Sequence, residues 1–335
     1  MEKLPNEILE VIFDNIDEAD KKPVREVCSK WYDMNEMGKM VIKYKNDDQE
    51  RIIQDICKIK PKELVFSYCH DIPGRFSIKE ILDAIFEKGI VLNVLIIEYC
   101  YLEKYDTKYR SIYDRLSFNN LGMLKITESF AAIEFIECHS LQILEIVGCG
   151  LKELDLDCPH LFILNLGDNN LKEFTYCSNE LATLNLACND LRELNLICPN
   201  LDTVDLNYNK CLRNLDDLGE SDCVEHLDII GCHELVSEID FNDFPDLKSL
   251  NISECTLNAL DISALTKLEN LHASFGELTE IDLTKNVNLV ELWLSENNLA
   301  TLDLSNNKKL KKLNVKNNPN LVVDVSHLSL VEYHK

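Results

Sequence analysis

Leucine stands at positions 181, 184, 186, 191, 194, 196 and 201 of the stretch LATLNLACNDLRELNLICPNL. This ten-residue beat constrains the fold more than any other feature of the chain. A single amphipathic helix places apolar residues at i, i+3, i+4 and i+7, and a single half-buried strand alternates briefly and stops. Neither period sustains the pattern. The unit L-x-x-L-x-L-x-x-N/C-x-L fits 141–151, 161–171, 181–191 and 289–299, and with small departures the segments starting at 201, 224, 247, 268 and 310. From 141 onward, successive starts lie 20, 20, 20, 23, 23, 21, 21 and 21 residues apart. Units of this length cannot bury an apolar face alone, so they stack as coils around a shared core.

Within each unit, positions 4 and 6 point inward from a short strand and position 5 points out. Each buried leucine contributes roughly 1.5–3 kcal/mol. The chain then turns sharply and leaves backbone groups without strand partners. Position 9 sits at that corner and reads Cys149, Asn169, Asn189, Asn209, Cys232, Cys255, Gly276, Asn297 and Asn318. An asparagine amide both donates and accepts, and cysteine is a small buried substitute with a weak donor. The intervening segments, such as LKELDLDCPHL, LRELNLICPNL, LNALDISALTKL and LATLDLSNNKKL, repeat L-x-x-L-x-L and are expected to return without the corner asparagine. The pattern resembles the leucine-rich-repeat signature. It implies an α/β solenoid with a parallel sheet, flattened over 121–325.

Upstream the unit lengthens. The template fits from Leu92, and PKELVFSYCHDI fits from Pro61 apart from its first position. Starts at 61, 92 and 121 leave about ten extra residues per coil. SIKEILDAIFEKGI, residues 77–90, reads as a helix there, with Ser77 as N-cap, Glu80 three later and Gly89 as the stop. Twelve units at a strand spacing near 4.8 Å make a sheet roughly 50–60 Å long. The expected organisation is a head over 1–40, a joining strand and helix over 41–60, long repeats with convex helices over 61–120, and short repeats with a C-terminal cap over 121–335. Within the joining segment, DDQERIIQDICK (47–58) reads as a helix capped by Asp47 or Asp48, with Ile52, Ile53 and Ile56 on one stripe.

The head does not follow the repeat. Pro5 opens a short helix carrying Ile8, Leu9, Ile12, Phe13 and Ile16, and a second segment carries Val24, Val27, Cys28 and Trp31. By spacing alone these forty residues read as a solenoid cap. The run LPNEILEVIFDNID…VREVCSKWYDM, with its Leu-Pro pair and V-x-x-V-C-x-x-W, resembles an F-box. An F-box followed directly by leucine-rich repeats is the plan of the substrate-receptor subfamily of Skp–cullin–F-box ubiquitin ligases. The resemblance implies that Leu4, Pro5, Ile8, Leu9, Ile12, Val24, Val27 and Trp31 meet a Skp-type adaptor, and through it a cullin. It implies that the solenoid holds a protein substrate for ubiquitin conjugation and proteasomal degradation. The alternative is a non-degradative interaction scaffold with the head as its cap.

The chain carries a net charge of −25. Its first 120 residues hold 23 acidic against 19 basic side chains, so residues 121–335 carry −21. That balance argues against nucleic acid and is compatible with a partner of basic surface. Many acids fall on the return side: Glu153, Asp155, Glu173, Glu193, Asp216, Glu238, Asp240, Asp261, Glu280, Asp282 and Asp303. They read first as a solvated face that blocks edge association. Fourteen cysteines without any C-x-x-C, many at corner positions, read as buried small residues in a reducing compartment. Cys138-His139 and Cys232-His233 are the pairs nearest to a zinc motif, and no metal or cofactor is expected. Without an apolar run of membrane-spanning length or a signal peptide, no membrane partner is expected, and the expected location is cytoplasmic and/or nuclear.

No phosphate loop or nucleophile–base arrangement marks an enzyme, so the functional residues are sought on the sheet's open face. Position 5 there reads Val65, Ile96, Lys125, Glu145, Asn165, Asn185, Asp205, Asp228, Asn251, His272, Trp293 and Asn314. The middle is small and polar. Val65, Tyr68, Ile96, Tyr99 and Met123 form an apolar group near the start, and His272, Phe275 and Trp293 form one near the end, with Tyr208 between. Outward aromatic residues on a rigid sheet are the usual anchors of an interface. Trp293, His272, Phe275, Tyr208, Tyr99 and Tyr68 are therefore the candidate substrate-binding residues.

Overall fold

The computed structural model describes residues 39–43, 49–67, 69, 78–100, 115–117, 120–129, 133–215, 218, 223–235 and 239–335. The F-box-like residues 4–34 and the caps Asp47, Asp48 and Ser77 lie outside them, as do Tyr68, Asp216 and Glu238. One parallel sheet of 14 strands runs the length of the solenoid, from Lys39–Lys43 to Glu332–His334. Each strand pairs with the corresponding residues of the next coil, so Leu184 faces Leu164 on one side and Val204 on the other. The twelve template matches supply twelve of these strands. The other two, Lys39–Lys43 and Glu332–His334, extend the sheet at either end. Smaller parallel sheets form on the return side: Arg115–Ser117, Phe135–Glu137 and Asp155–Asp157, then Glu173–Cys177 with Glu193–Ile197, then Thr301–Leu302 with Val322–Val323. Positions 4 and 6 of each coil fill the space between the two sides. Leu184, Leu186, Leu250, Leu271 and Leu292 are among the fully buried side chains.

Two helices occupy the long coils. Gln49–Ile59 buries Ile52 and Ile56 and packs against Ile78–Glu87, which buries Ile78, Ile81, Leu82 and Ile85. The first helix is the crossover between two paired parallel strands, so it covers the side of the solenoid next to the second helix. Gly89 adopts φ +68°, a conformation that L side chains resist, and its N–H bonds the Phe86 carbonyl to end the second helix.

The corner position carries the bonding that the sequence implies. The amide of Asn189 donates to the carbonyls of Leu166 (3.0 Å) and Leu186 (2.9 Å), and its Oδ1 accepts from the N–H of Leu171 (3.0 Å). Asn169, Asn209, Asn297 and Asn318 repeat this three-point tie. Cysteine reproduces the donor half: the thiols of Cys149, Cys232 and Cys255 reach the carbonyls of Ile126, Leu206 and Ile229 in the coil before. The return side departs from expectation. Asn286 and Asn307 form a second corner ladder, donating to Ile262 and Leu265, and to Leu283 and Asn286. The return bend also strands carbonyl groups. The signal was present in the sequence, since both residues stand eight after a template leucine, Leu278 or Leu299.

The return-side acids also do more than meet solvent. Asp240, Asp261, Asp282, Asp303 and Asp324 recur every 21 residues, and each accepts from the backbone N–H two residues on. They close an Asx-turn in each coil. The same bonds lower the carboxyl pKa of Asp261, Asp282 and Asp303, and those from Ser326 lower that of Asp324. A carboxylate depressed in the folded state binds fewer protons there than in the unfolded chain. Its stabilisation is complete above the unfolded value of about 3.9 and is lost as pH falls through the folded one. Urea midpoints should therefore drop on acidification below about pH 4. In D282N/D303N that drop should shrink, because asparagine makes the turn without titrating. An unchanged acid dependence in the variant would reject this account.

Candidate functional site

Position 8, just before each corner, is left-handed in every described coil from Tyr99 to Asn317. Glu128, Asp168, Cys188, Tyr208, Glu254, Phe275 and Glu296 all have φ between 48° and 60°, and Gly148 and Gly231 have φ +67°. This backbone turns position 9 inward to make its corner bonds and lifts position 8 outward. The result is a ridge of side chains along one edge of the open face, interrupted at Gly148 and Gly231. Glycine, asparagine and aspartate tolerate this conformation; a bulky side chain there costs about 1–2 kcal/mol. Tyr99, Tyr208 and Phe275 occupy it nonetheless, at 48%, 40% and 59% exposure. They bear the conformational cost with little burial in return, as Glu128, Cys188 and Glu254 do in other coils.

The ridge spreads the candidate residues rather than gathering all of them. The Tyr208 ring lies over Gly231, and its hydroxyl meets Glu254 Oε1 at 3.3 Å. Phe275 stands three coils further on. Tyr99 is five coils before Tyr208, roughly 24 Å at the strand spacing, so it belongs to a separate end of the face. His272 and Trp293 do meet. They are register neighbours, and their rings stack with centroids 4.7 Å apart and planes 15° apart. Glu291 fixes the stack: its Oε1 lies 3.2 Å from His272 Nε2, and Oε2 accepts from Lys312 at 2.8 Å. Trp293 is thus half-buried on its neighbour instead of standing free. The early apolar group is also partly closed. Val65, flanked in register by Val41 and Ile96, is buried, and Ile96 and Met123 are half-buried. β-Branched neighbours on both sides cover it.

The middle of the face is not merely small and polar. Asp205 and Asp228 are register neighbours on adjacent strands, both half-buried. Burial raises the carboxyl pKa of each, and the charge of Asp205 raises Asp228 further. From position 163 to position 275, no outward position of a coil (3, 5, 7 or 8) carries lysine or arginine. The ends differ: Lys125 pairs with Glu145 at 2.6 Å, and Lys312 pairs with Glu291. The sequence signal for the carboxylate pair was the row of position 5, where Asp205 and Asp228 stand in consecutive coils; the absence of outward lysine and arginine around them appears only when positions 3, 7 and 8 are read as well.

Most of the described cysteines are buried in the scaffold, whereas Cys177, Cys188, Cys211 and Cys223 are exposed. The Cys138 thiol donates to the Leu121 carbonyl, and His139 stands outside at 3.6 Å from Asp157. Burial pushes the Cys149 thiol up to about 11, and Cys158 and Cys232 up to about 12, so all three are protonated at neutral pH. Among the described residues, no helix is long and apolar enough to cross a membrane.

A scan against family models returns no match, and neither does a search of curated proteins. Solved structures do match. The leucine-rich-repeat domain of APL1B superposes with a TM-score of 0.60 at 17% identity, over 100% of this chain and 94% of that one. The internalin InlF of Listeria monocytogenes gives 0.56 at 14% identity, over 85% and 86%. The functional domain of InlJ from the same organism, which includes a cysteine ladder, gives 0.43 at 23% identity over 66% of this chain, which spans 57% of that domain. With its coil length, its strand order and the superpositions on APL1B and InlF, the chain has the leucine-rich-repeat solenoid fold.

Proposed function

We propose that this chain holds a partner protein on the open face of its sheet and performs no chemistry itself. The observation that carries this reading is the ridge, which keeps exposed aromatic side chains in a left-handed backbone beside an open polar sheet. In the finer form of the proposal, the chain is a substrate receptor of a Skp–cullin–F-box ligase, working in the cytosol or nucleus. The head, through Leu4, Pro5, Ile8, Leu9, Ile12, Val24, Val27 and Trp31, docks the Skp-type adaptor. Support comes from the F-box-like run, which ends within five residues of the first sheet strand at Lys39. A join that short would hold a bound substrate at a set position relative to the ligase, so the receptor would act by proximity.

The test is a titration of the purified chain against a Skp adaptor, beside a variant with Leu4, Pro5 and Ile8 changed to alanine. Submicromolar binding that weakens at least about tenfold in the variant is expected, since removing apolar anchors at an interface core costs over 1 kcal/mol each. If the intact chain does not bind, the ligase role falls, and the chain is a scaffold whose head is a cap.

A further inference from the structure

We propose that the middle of the open face, over the coils starting at 181 to 268, docks a basic, extended segment of the partner protein, with a cationic side chain set between Asp205 and Asp228. This deepens the partner-holding part of the proposed function and rests on it.

Other coils carry an amide at position 5. Asn165, Asn185, Asn251 and Asn314 occupy that position, and each Oδ1 accepts from the N–H of position 7 at 2.9–3.3 Å. Asp205 makes the same bond, to the Asn207 N–H at 3.1 Å, and its second oxygen accepts from the Asn185 amide at 3.2 Å. Asparagine would keep the turn-closing bond and lose only the one to Asn185, so the turn itself does not require a charge at 205. Asp228 lacks even the turn-closing bond, since the Ile230 N–H donates to the side chain of Asn207. Among the described residues, neither aspartate has an ion-pair partner. Two adjacent, half-buried carboxylates repel one another and lose hydration.

The surroundings fit one kind of occupant. The ends of the face neutralise their own charge through Lys125–Glu145 and Lys312–Glu291, while the coils between present Asp168, Asp205, Asp228 and Glu254 with no outward lysine or arginine. Lys248 pairs with Glu225 at the margin of these coils, and His226 and His272 offset part of the charge of Asp228; the acidic excess that remains is complementary to positive charge from outside. Tyr208 stands on the ridge three residues along the coil from Asp205, its ring held over Gly231 and its hydroxyl on Glu254. An aromatic ring on the ridge of the same coil offers a surface for the stem of an arginine or lysine that crosses it. Five strands span roughly 20 Å, the reach of about six extended residues.

The experiment uses the full chain and a fluorescein-labelled hexa-arginine peptide, read by anisotropy in about 0.15 M salt. D205N/D228N is compared with E153Q/E173Q, which removes the same charge from the return side. D205N/D228N should weaken binding by about tenfold or more, and E153Q/E173Q by less than about twofold, because screening limits distant charges to small effects. Asparagine already occupies position 5 elsewhere, so the first variant should fold, and thermal unfolding of both variants checks this. Equal weakening by the two variants would mean that only the overall charge attracts the peptide, and the proposal falls. Failure of the intact chain to bind hexa-arginine overturns it as well. Adaptor binding, measured on the same variants, does not depend on Asp205 or Asp228, so the receptor reading stands or falls separately.

Discussion

Replacing Asn209 by alanine should cost about 3–4 kcal/mol of stability, measured as a fall in the urea midpoint at constant slope. Asn209 is fully buried and makes three bonds: donation to the carbonyls of Leu186 and Leu206, each at 2.9 Å, and acceptance from the Leu191 N–H at 3.1 Å. The losses are unequal. The Leu186 carbonyl keeps a donor in Asn189, and that of Leu206 keeps the thiol of Cys232. The Leu191 N–H loses its acceptor, and an orphaned buried donor costs about 1–3 kcal/mol by itself. Asn209→Cys should lose only about 2 kcal/mol, since a thiol there can donate to Leu186 as Cys232 does to Leu206. An alanine variant within about 1 kcal/mol of the parent would show that water takes over the amide's bonds, and would remove the corner ladder as the main tie between coils.

Gly231→Val should cost about 2–4 kcal/mol, for two separable reasons. Gly231 has φ +67°, where a β-branched residue is a genuine outlier. A Cβ there would also stand 3.0 Å from the Tyr208 ring. The ring must give by a few tenths of an ångström, which stretches its 3.3 Å bond to Glu254. A double-mutant cycle separates the two terms. In a Tyr208→Ala background the steric share disappears and the backbone share remains, so the cost of the valine should fall by about 1 kcal/mol or more. Full additivity would mean that the ring does not rest on Gly231. Glu254 tolerates the same backbone one coil later at φ 59°, so an unbranched side chain at 231 is the milder change.

The solenoid was legible because its period is written in leucines that must all point inward. Leu164, Leu184 and Leu250 are buried where the template puts them, and Asn189 holds its corner as its chemistry requires. The return ladder was harder to see, since Asn286 and Asn307 occur only in the last coils, where Cys158, Ser178 and Cys198 had held the return side earlier. The turn-closing role of Asp261 and Asp282 was hidden for another reason. A surface carboxylate that bonds its own backbone has the same residue type as one that merely meets water. On the open face, the outward aromatics were legible one by one. The adjacency of Trp293 to His272 and of Asp205 to Asp228 could be read from position 5, but the stacking of the first pair and the burial of the second could not, because each depends on side-chain conformation and on the neighbours that cover it. The ridge follows from a backbone conformation that Gly148, Gly231, Asp168 and Asn317 hint at and that Phe275 conceals.

The corner ladder is not equally strong along its length, and this has a mechanical consequence. Asn169, Asn189 and Asn209 grip one block of coils, and Asn297 and Asn318 grip another. Between them the grip passes to the weaker thiols of Cys232 and Cys255, and then to Gly276, which has no side chain to offer. In the coil of Gly276 the tie reappears on the opposite edge, where Asn286 holds the carbonyls of Ile262 and Leu265. Near the open-face corner of those same coils serines take up the bonding, with the Ser295 hydroxyl donating to Ser274 at 3.0 Å and the Ser274 N–H to the Ser253 hydroxyl at 3.2 Å, while the strand pairing runs on unbroken. A pull that separates these coils is therefore borne by hydroxyls and return-side amides, where in the blocks on either side it is borne by the corner asparagines.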